Sequence, residues 1–118
     1  MLNKEQILGA EDDSIITVEV PEWKGSVCIK LMSGKDRDSL EDELYSVLDT
    51  GKVQYNRKNA RSKMLVRCLV DGKGKRLFTD AEVEELAEKS SAVIVRLYDI
   101  ATKHNELSDK DIAELEKK

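Results

Sequence analysis

The chain has 118 residues and a mass of 13.3 kDa, enough for one compact domain with a modest core and too little for two. No eighteen apolar residues follow one another, which excludes a membrane span, and the opening MLNKEQILGAEDDS carries acids where a signal peptide needs a basic end and an apolar run. The net charge of −4 conceals a segregation: residues 1–51 hold 12 acids and 5 bases, residues 52–76 hold 1 acid and 9 bases, and residues 77–118 hold 11 acids and 6 bases.

In chain order, residues 1–13 form a candidate mobile N-terminal segment of a single domain, 1–118. In SIITVEV, Ile16, Val18 and Val20 alternate with Thr17 and Glu19. In VCIKL, Val27, Ile29 and Leu31 share a face opposite Cys28 and Lys30. The spacing predicts a two-stranded antiparallel hairpin with one apolar face, ended by Pro21 and reversed at Gly25. Trp23, at that turn, has two readings, a cover for the end of the core or an anchor for a partner. Cys28 and Cys68 lie outside any C-x-x-C spacing and suit a reducing compartment as small apolar residues.

From Ser33 the period becomes helical. Leu40, Leu44, Val47 and Leu48 form one stripe, acids fill the wet side, and DTGK predicts an end at Gly51. A second helix is expected from about Tyr55 to Val70, with a basic first half, YNRKNARSK, and an apolar seam of Met64, Leu65, Cys68 and Leu69. Next comes LVDGKGKRLFTDAEVEEL. Its glycines are too close for a phosphate-binding G-x-x-x-x-G-K-[ST] loop, and it carries cations where a calcium loop needs acids, so DGKGK reads as a turn. Thr79 and Glu82 make a capping box and Phe78 can staple onto Val83, predicting a short helix over roughly 80–88. Ser90 or Ser91 caps the next helix, in which Val93, Leu97, Ile100, Ala101 and His104 share a face. Leu107, Ser108, Asp111 and Ile112 repeat the staple and cap, predicting a separate short helix over 108–118. The expected fold class is α+β, an N-terminal two-stranded antiparallel hairpin followed by about four helices.

Chemistry is sparse. His104 is the only histidine and has no accompanying ligand set, so no metal or other cofactor is expected. The serines at 33, 90, 91 and 108 serve better as caps or turns than as nucleophiles, so no enzyme is expected. The positive feature is the basic segment 52–76. Arg57 and Arg61 continue the stripe of Met64 and Cys68, and with Lys58 and Lys63 they leave three readings open: a solvated face, a docking face for protein, or a small nucleic-acid-binding regulator. The pI near 5.1 and the five aromatic residues weigh against nucleic acid.

The order VEVPEWKGSVCIKLMSGKDRDSLE, basic helix, then LVDGKGKRLFTDAEVEELAEKSSAVIVRLYDIATKHNELSDKDIAELEKK resembles the small tail assembly chaperones of long-tailed bacteriophages and prophages. The resemblance implies a non-enzymatic protein of the host bacterial cytoplasm that binds the tape measure protein, recruits tail tube protein subunits and is absent from the mature virion; self-association is expected separately, from the basic run Lys52–Arg76 lying between two acidic blocks. The resemblance transfers no individual residue. Arg57, Lys58, Arg61, Lys63 and Trp23 are candidate partner contacts, and neither nucleic acid nor membrane is an expected partner. It also implies a longer minor product made by a ribosomal slip near the end of the frame, with Lys117 and Lys118 expected to overlie the slippery codons.

Overall fold

A computed structural model describes the backbone of residues 1–116 and the side chains of residues 1–105. Strands β1 (Ile15–Val20) and β2 (Gly25–Lys30) pair antiparallel, Ile16 opposite Ile29 and Val20 opposite Gly25. The alternation holds in β1, whereas in β2 Cys28 and Lys30 are half-buried like Val27 and only Ile29 is fully buried. Val20 and Ile29 are buried, Ile16, Val18 and Val27 are half-buried, and Ile15, Thr17 and Glu19 face water. Pro21–Trp23 makes one 3₁₀ turn, and Lys24 reverses the chain at φ 57°.

The hairpin is not the whole sheet. A third strand, β5 (Leu69–Val70), pairs with β2 through Cys28 opposite Val70 and Ile29 opposite Leu69, leaving β2 central and β1 on the outside. This shortens the expected helix over Tyr55 to Val70 at its C-terminal end. Leu69 turns extended because pairing satisfies the backbone groups of β2 that the two-stranded hairpin would have left open. At its other end the helix, α3 (Ala60–Cys68), cannot begin before Asn59, which sits at φ 52°, ψ 29° in the left-handed region. Arg57 and Lys58 therefore lie outside the helix, and the single stripe expected from Arg57 to Cys68 does not exist.

Helix α2 (Gly34–Leu44) starts as expected, with the Ser33 hydroxyl accepting from the Asp36 amide at 3.1 Å, and buries Leu40. It stops seven residues before Gly51. Tyr45–Val47 is instead β3, paired antiparallel with β4 (Val53–Tyr55) as a second hairpin. The helical fit of Val47 and Leu48 was coincidental, since both are exposed.

The DGKGK segment is a turn, as expected. The Asp71 carboxylate accepts from the amides of Lys73 at 2.8 Å and Lys75 at 3.0 Å, Gly74 takes φ 86°, and Val70 bridges to Arg76. Glu82 then accepts from the Thr79 amide at 2.7 Å in the capping box, opening a 3₁₀ turn at Asp80–Glu82 and α4 (Val83–Ala87). The final helix, α5 (Ser91–Glu116), runs unbroken where two helices were expected. No glycine or proline between His104 and Ser108 stops it. The expected staple and cap at Leu107, Ser108, Asp111 and Ile112 fall outside the described side chains, and Lys117 and Lys118 fall outside the described residues. His104 is thus mid-helix, its Nε2 donating to the Ser14 carbonyl at 2.9 Å, while Asn105 Oδ1 accepts from the Met32 amide at 3.1 Å. These two residues tie the helix to the open end of the first hairpin.

A short helix, α1 (Lys4–Gly9), precedes the sheet. Asn3 and Gln6 form its capping box, and it buries none of its residues. The core lies between the three-stranded sheet and helices α3 and α5, with Val20, Ile29, Leu65, Val66, Leu69, Val93 and Leu97 nearly or fully excluded from water. Burying each such side chain contributes roughly 1.5–3 kcal/mol. Cys68 belongs to this core, where burial pushes its thiol up to about 12, an inert group.

Candidate protein-interaction surface

The basic segment splits into two environments. Arg67 projects from α3 into the interior and is fully buried. Its Nη1 donates to the Lys63 carbonyl at 2.7 Å and its Nη2 to the Ser39 hydroxyl at 3.0 Å, and Nη2 lies 3.3 Å from both Glu43 and Asp80. Arg76 joins the same network, donating to the Val66 carbonyl at 3.0 Å and to Asp80 at 2.6 Å, with Asp36 at 3.7 Å. The bond from Arg76, reinforced by attraction to Arg67, holds the Asp80 carboxyl below the usual range. Acidic α2 and Asp80 thus neutralise this half of the basic segment from within.

The other half faces outward. Arg57 and Arg61 line an open groove of about 600 Å³ between the turn before α3 and the start of α5, together with Tyr55, Lys89, Ile94 and Tyr98. Among the described residues, none that lines it is acidic. The Arg61 guanidinium lies over the Tyr98 ring, 5.7 Å from its centroid, a cation–π contact that orders a long exposed side chain.

The second hairpin continues this surface. Its register places Tyr45 opposite Tyr55 and Val47 opposite Val53 on one face, with Ser46 and Gln54 on the other. The two tyrosine rings pack at 5.3 Å, inclined by 42°. All four residues are exposed, Val47 by 75% and Val53 by 65%, so among the described residues nothing covers the valine end of this face. Tyr45 and Tyr98 also line an adjoining cavity of about 190 Å³. All three tyrosines of the protein therefore meet along one face, next to Arg57 and Arg61.

The structure brings together only part of the sequence-derived set. Lys58 is exposed in the turn beside Arg57, its amide bonded to Asn56. Lys63 is half-buried and does not line the groove, and Trp23 is half-buried against the core in the Pro21–Trp23 turn. Sequence reasoning missed Tyr45, Lys89, Val95 and Tyr98. The signal for the first was available, as Tyr-Ser-Val and Val-Gln-Tyr alternate on either side of a glycine loop.

Among the described residues no cluster of His, Cys, Asp or Glu is arranged to hold a metal ion, and no helix is long and apolar enough to cross a membrane. A family model described as phage tail assembly chaperone matches residues 7–118. Among solved structures, the tail assembly chaperone of bacteriophage HK97 superposes with a TM-score of 0.57 at 24% identity, covering 82% of this chain and 88% of that one. No curated protein matches the sequence.

Proposed function

This chain belongs to the phage tail assembly chaperone family, and from that premise we propose that it is a non-enzymatic chaperone that binds the tape measure protein and brings tail tube subunits to it. It would act in the host cytoplasm and stay out of the finished particle. The observation that carries this reading is the surface on which Tyr45, Tyr55, Tyr98, Arg57 and Arg61 meet, open to water and continuous with the uncovered hairpin face. Tyrosine and arginine dominate binding energy at protein interfaces, and an uncovered apolar face rimmed by cations suits a long partner presenting repeated amphipathic segments. Lys58, exposed in the turn beside Arg57, does not line the groove, and Lys63 and Trp23 have no assigned part in it either.

The test is co-expression with the tape measure and tube proteins encoded alongside it, followed by affinity purification and titration. The unmodified chain should co-purify with the tape measure protein, and Tyr55→Ala with Tyr98→Ala should weaken that binding by about ten-fold or more, as loss of hot-spot side chains does. Absence of binding by the unmodified chain overturns the reading. Tight, salt-sensitive binding of oligonucleotides in its place would favour the regulator reading of segment 52–76.

A further inference from the structure

Strand β1 is a sheet edge without the usual protection. Among the described residues its strand neighbour is β2 alone, and the register runs from Ile15 opposite Lys30 to Val20 opposite Gly25 without a bulge. Just before the strand, the Leu31 amide donates to the Ser14 carbonyl at 3.1 Å, which fixes the alternation of the ladder. Ile16, Val18 and Val20 turn their backbone groups towards β2, and Ile15, Thr17 and Glu19 turn theirs away. The amides and carbonyls of these last three have no backbone partner among the described residues. Five of the six residues of β1 are β-branched and none is lysine or proline, the residues that ordinarily guard an edge strand against pairing. The apolar layer is also unfinished here, since Ile16 and Val18 pack against the core yet are only half-buried.

We propose that this edge receives an extended segment of a partner protein as a fourth strand of the β1–β2–β5 sheet. Backbone pairing with Ile15, Thr17 and Glu19 holds the segment, and its alternate apolar side chains complete the cover over Ile16 and Val18. Charge around the edge sets the segment's chemistry. Glu19 is exposed on the strand, and Glu11, Asp12 and Asp13 line an open hollow of about 580 Å³ where β1 begins, with Lys73 as the base among them. The segment is therefore basic at its ends. The same charges disfavour a second copy of this edge. Parallel pairing would set Glu19 beside Glu19, and antiparallel pairing about Thr17 would set Ile15 opposite Glu19 and bring Asp12 towards Glu22. None of Ile15, Thr17 and Glu19 lines the tyrosine groove, so the contact goes beyond the tape measure reading and does not depend on it.

The experiment follows the backbone amides of the isotope-labelled full-length protein by NMR during titration with a synthetic peptide. The peptide has about eight residues, within the usual strand length, alternating valine and threonine with a lysine at each end. The amides of Ile15, Thr17 and Glu19 should shift and exchange more slowly, while those of Ile16, Val18 and Val20, already in the ladder, change little. Thr17→Pro removes one outward amide and spares the bonds to β2, and Thr17→Lys keeps every backbone group but places a cation on the edge. Each should weaken peptide binding by about ten-fold, as should aspartate in place of the peptide's lysines. Thermal unfolding checks that the variants fold, and Thr17→Lys decides alone if Thr17→Pro does not. Unshifted amides, shifts shared equally by Ile16 and Val18, variants that bind as the unmodified chain does, or an aspartate peptide that binds as well would overturn the proposal. So would slowing of the same three amides with protein concentration in the absence of peptide, which would assign the edge to a second copy. Tape measure binding is measured separately, so that either idea can fail alone.

Discussion

Arg67 and Arg57 stand ten positions apart in one basic stretch, and the fold gives them opposite tasks. Arg67 is buried among Glu43, Asp80 and Ser39, with its neighbour Arg76 closing the network, whereas Arg57 and Arg61 rim a groove without an acid in its lining. A block of like charge is therefore not one surface. The buried half joins the acidic helix α2 to the core and bears on stability, while the outward half remains available for recognition.

Four measurements break or sharpen this contrast. The largest effect is expected from Arg67→Ala, which removes a fully buried guanidinium and leaves Glu43 and Asp80 without their shared cation. Urea unfolding should show a loss of about 3 kcal/mol. Asp80→Ala should cost somewhat less, about 2 kcal/mol by the same measurement, since Glu43 still faces Arg67 while Arg76 loses its 2.6 Å bond.

The third effect is on pH dependence. Asp80 titrates below its ordinary value of 3.8, chiefly through the bond from Arg76, so the stability it supplies is present above that value and is lost as pH falls through the lowered folded-state value. Urea midpoints followed down the acid limb should fall less steeply in Asp80→Asn than in the unmodified chain. A residual slope should persist from Glu22, lowered to about 2 by its bond from Arg96, and from Asp71, held low by the Lys75 and Lys73 amides. The smallest stability effect belongs to the outward pair: Arg57→Ala with Arg61→Ala should stay within about 0.5 kcal/mol while weakening association. A loss comparable to that of Arg67→Ala would erase the distinction between the two halves.

A single local device shows where sequence reading succeeded and where it failed. Leu48 and Lys52 close one loop, with the Leu48 amide donating to the Lys52 carbonyl and the Gly51 amide to the Leu48 carbonyl, both at 2.8 Å. Asp71 and Lys75 close another by the same pattern, at 2.8 Å and 3.0 Å. Each has glycine at positive φ, 84° and 86°, followed by lysine, the geometry of a three-residue hairpin loop. In DGKGK the repeated glycine made the turn legible. In DTGK the preceding leucines and valine matched a helical period, and glycine is as good a helix end as a loop residue, so the same motif was read as a C-cap. Tyr45 and Val47 were placed on the wrong element as a result, and half of the candidate surface was missed.

Amino-acid order alone determined the features that depend on near neighbours: the β1–β2 pairing with the alternating burial of β1, the Ser33 and Thr79 helix starts, the Asp71 turn and the segregation of charge. These rest on backbone geometry and on contacts three or four residues apart, which periodicity and capping chemistry encode directly. Only the tertiary structure decided that Leu69 and Val70 leave the helix to pair with β2, that Arg67 turns inward while Arg61 lies over Tyr98, and that Tyr45 and Tyr55 meet beside the first turns of α5. Each of these outcomes compares two local options of similar free energy, helix against strand or solvated against paired cation. The balance is tipped by partners far away in the chain, Ile29 for Leu69, Ser39 and Glu43 for Arg67, Tyr98 for Arg61, whose proximity no local spacing records.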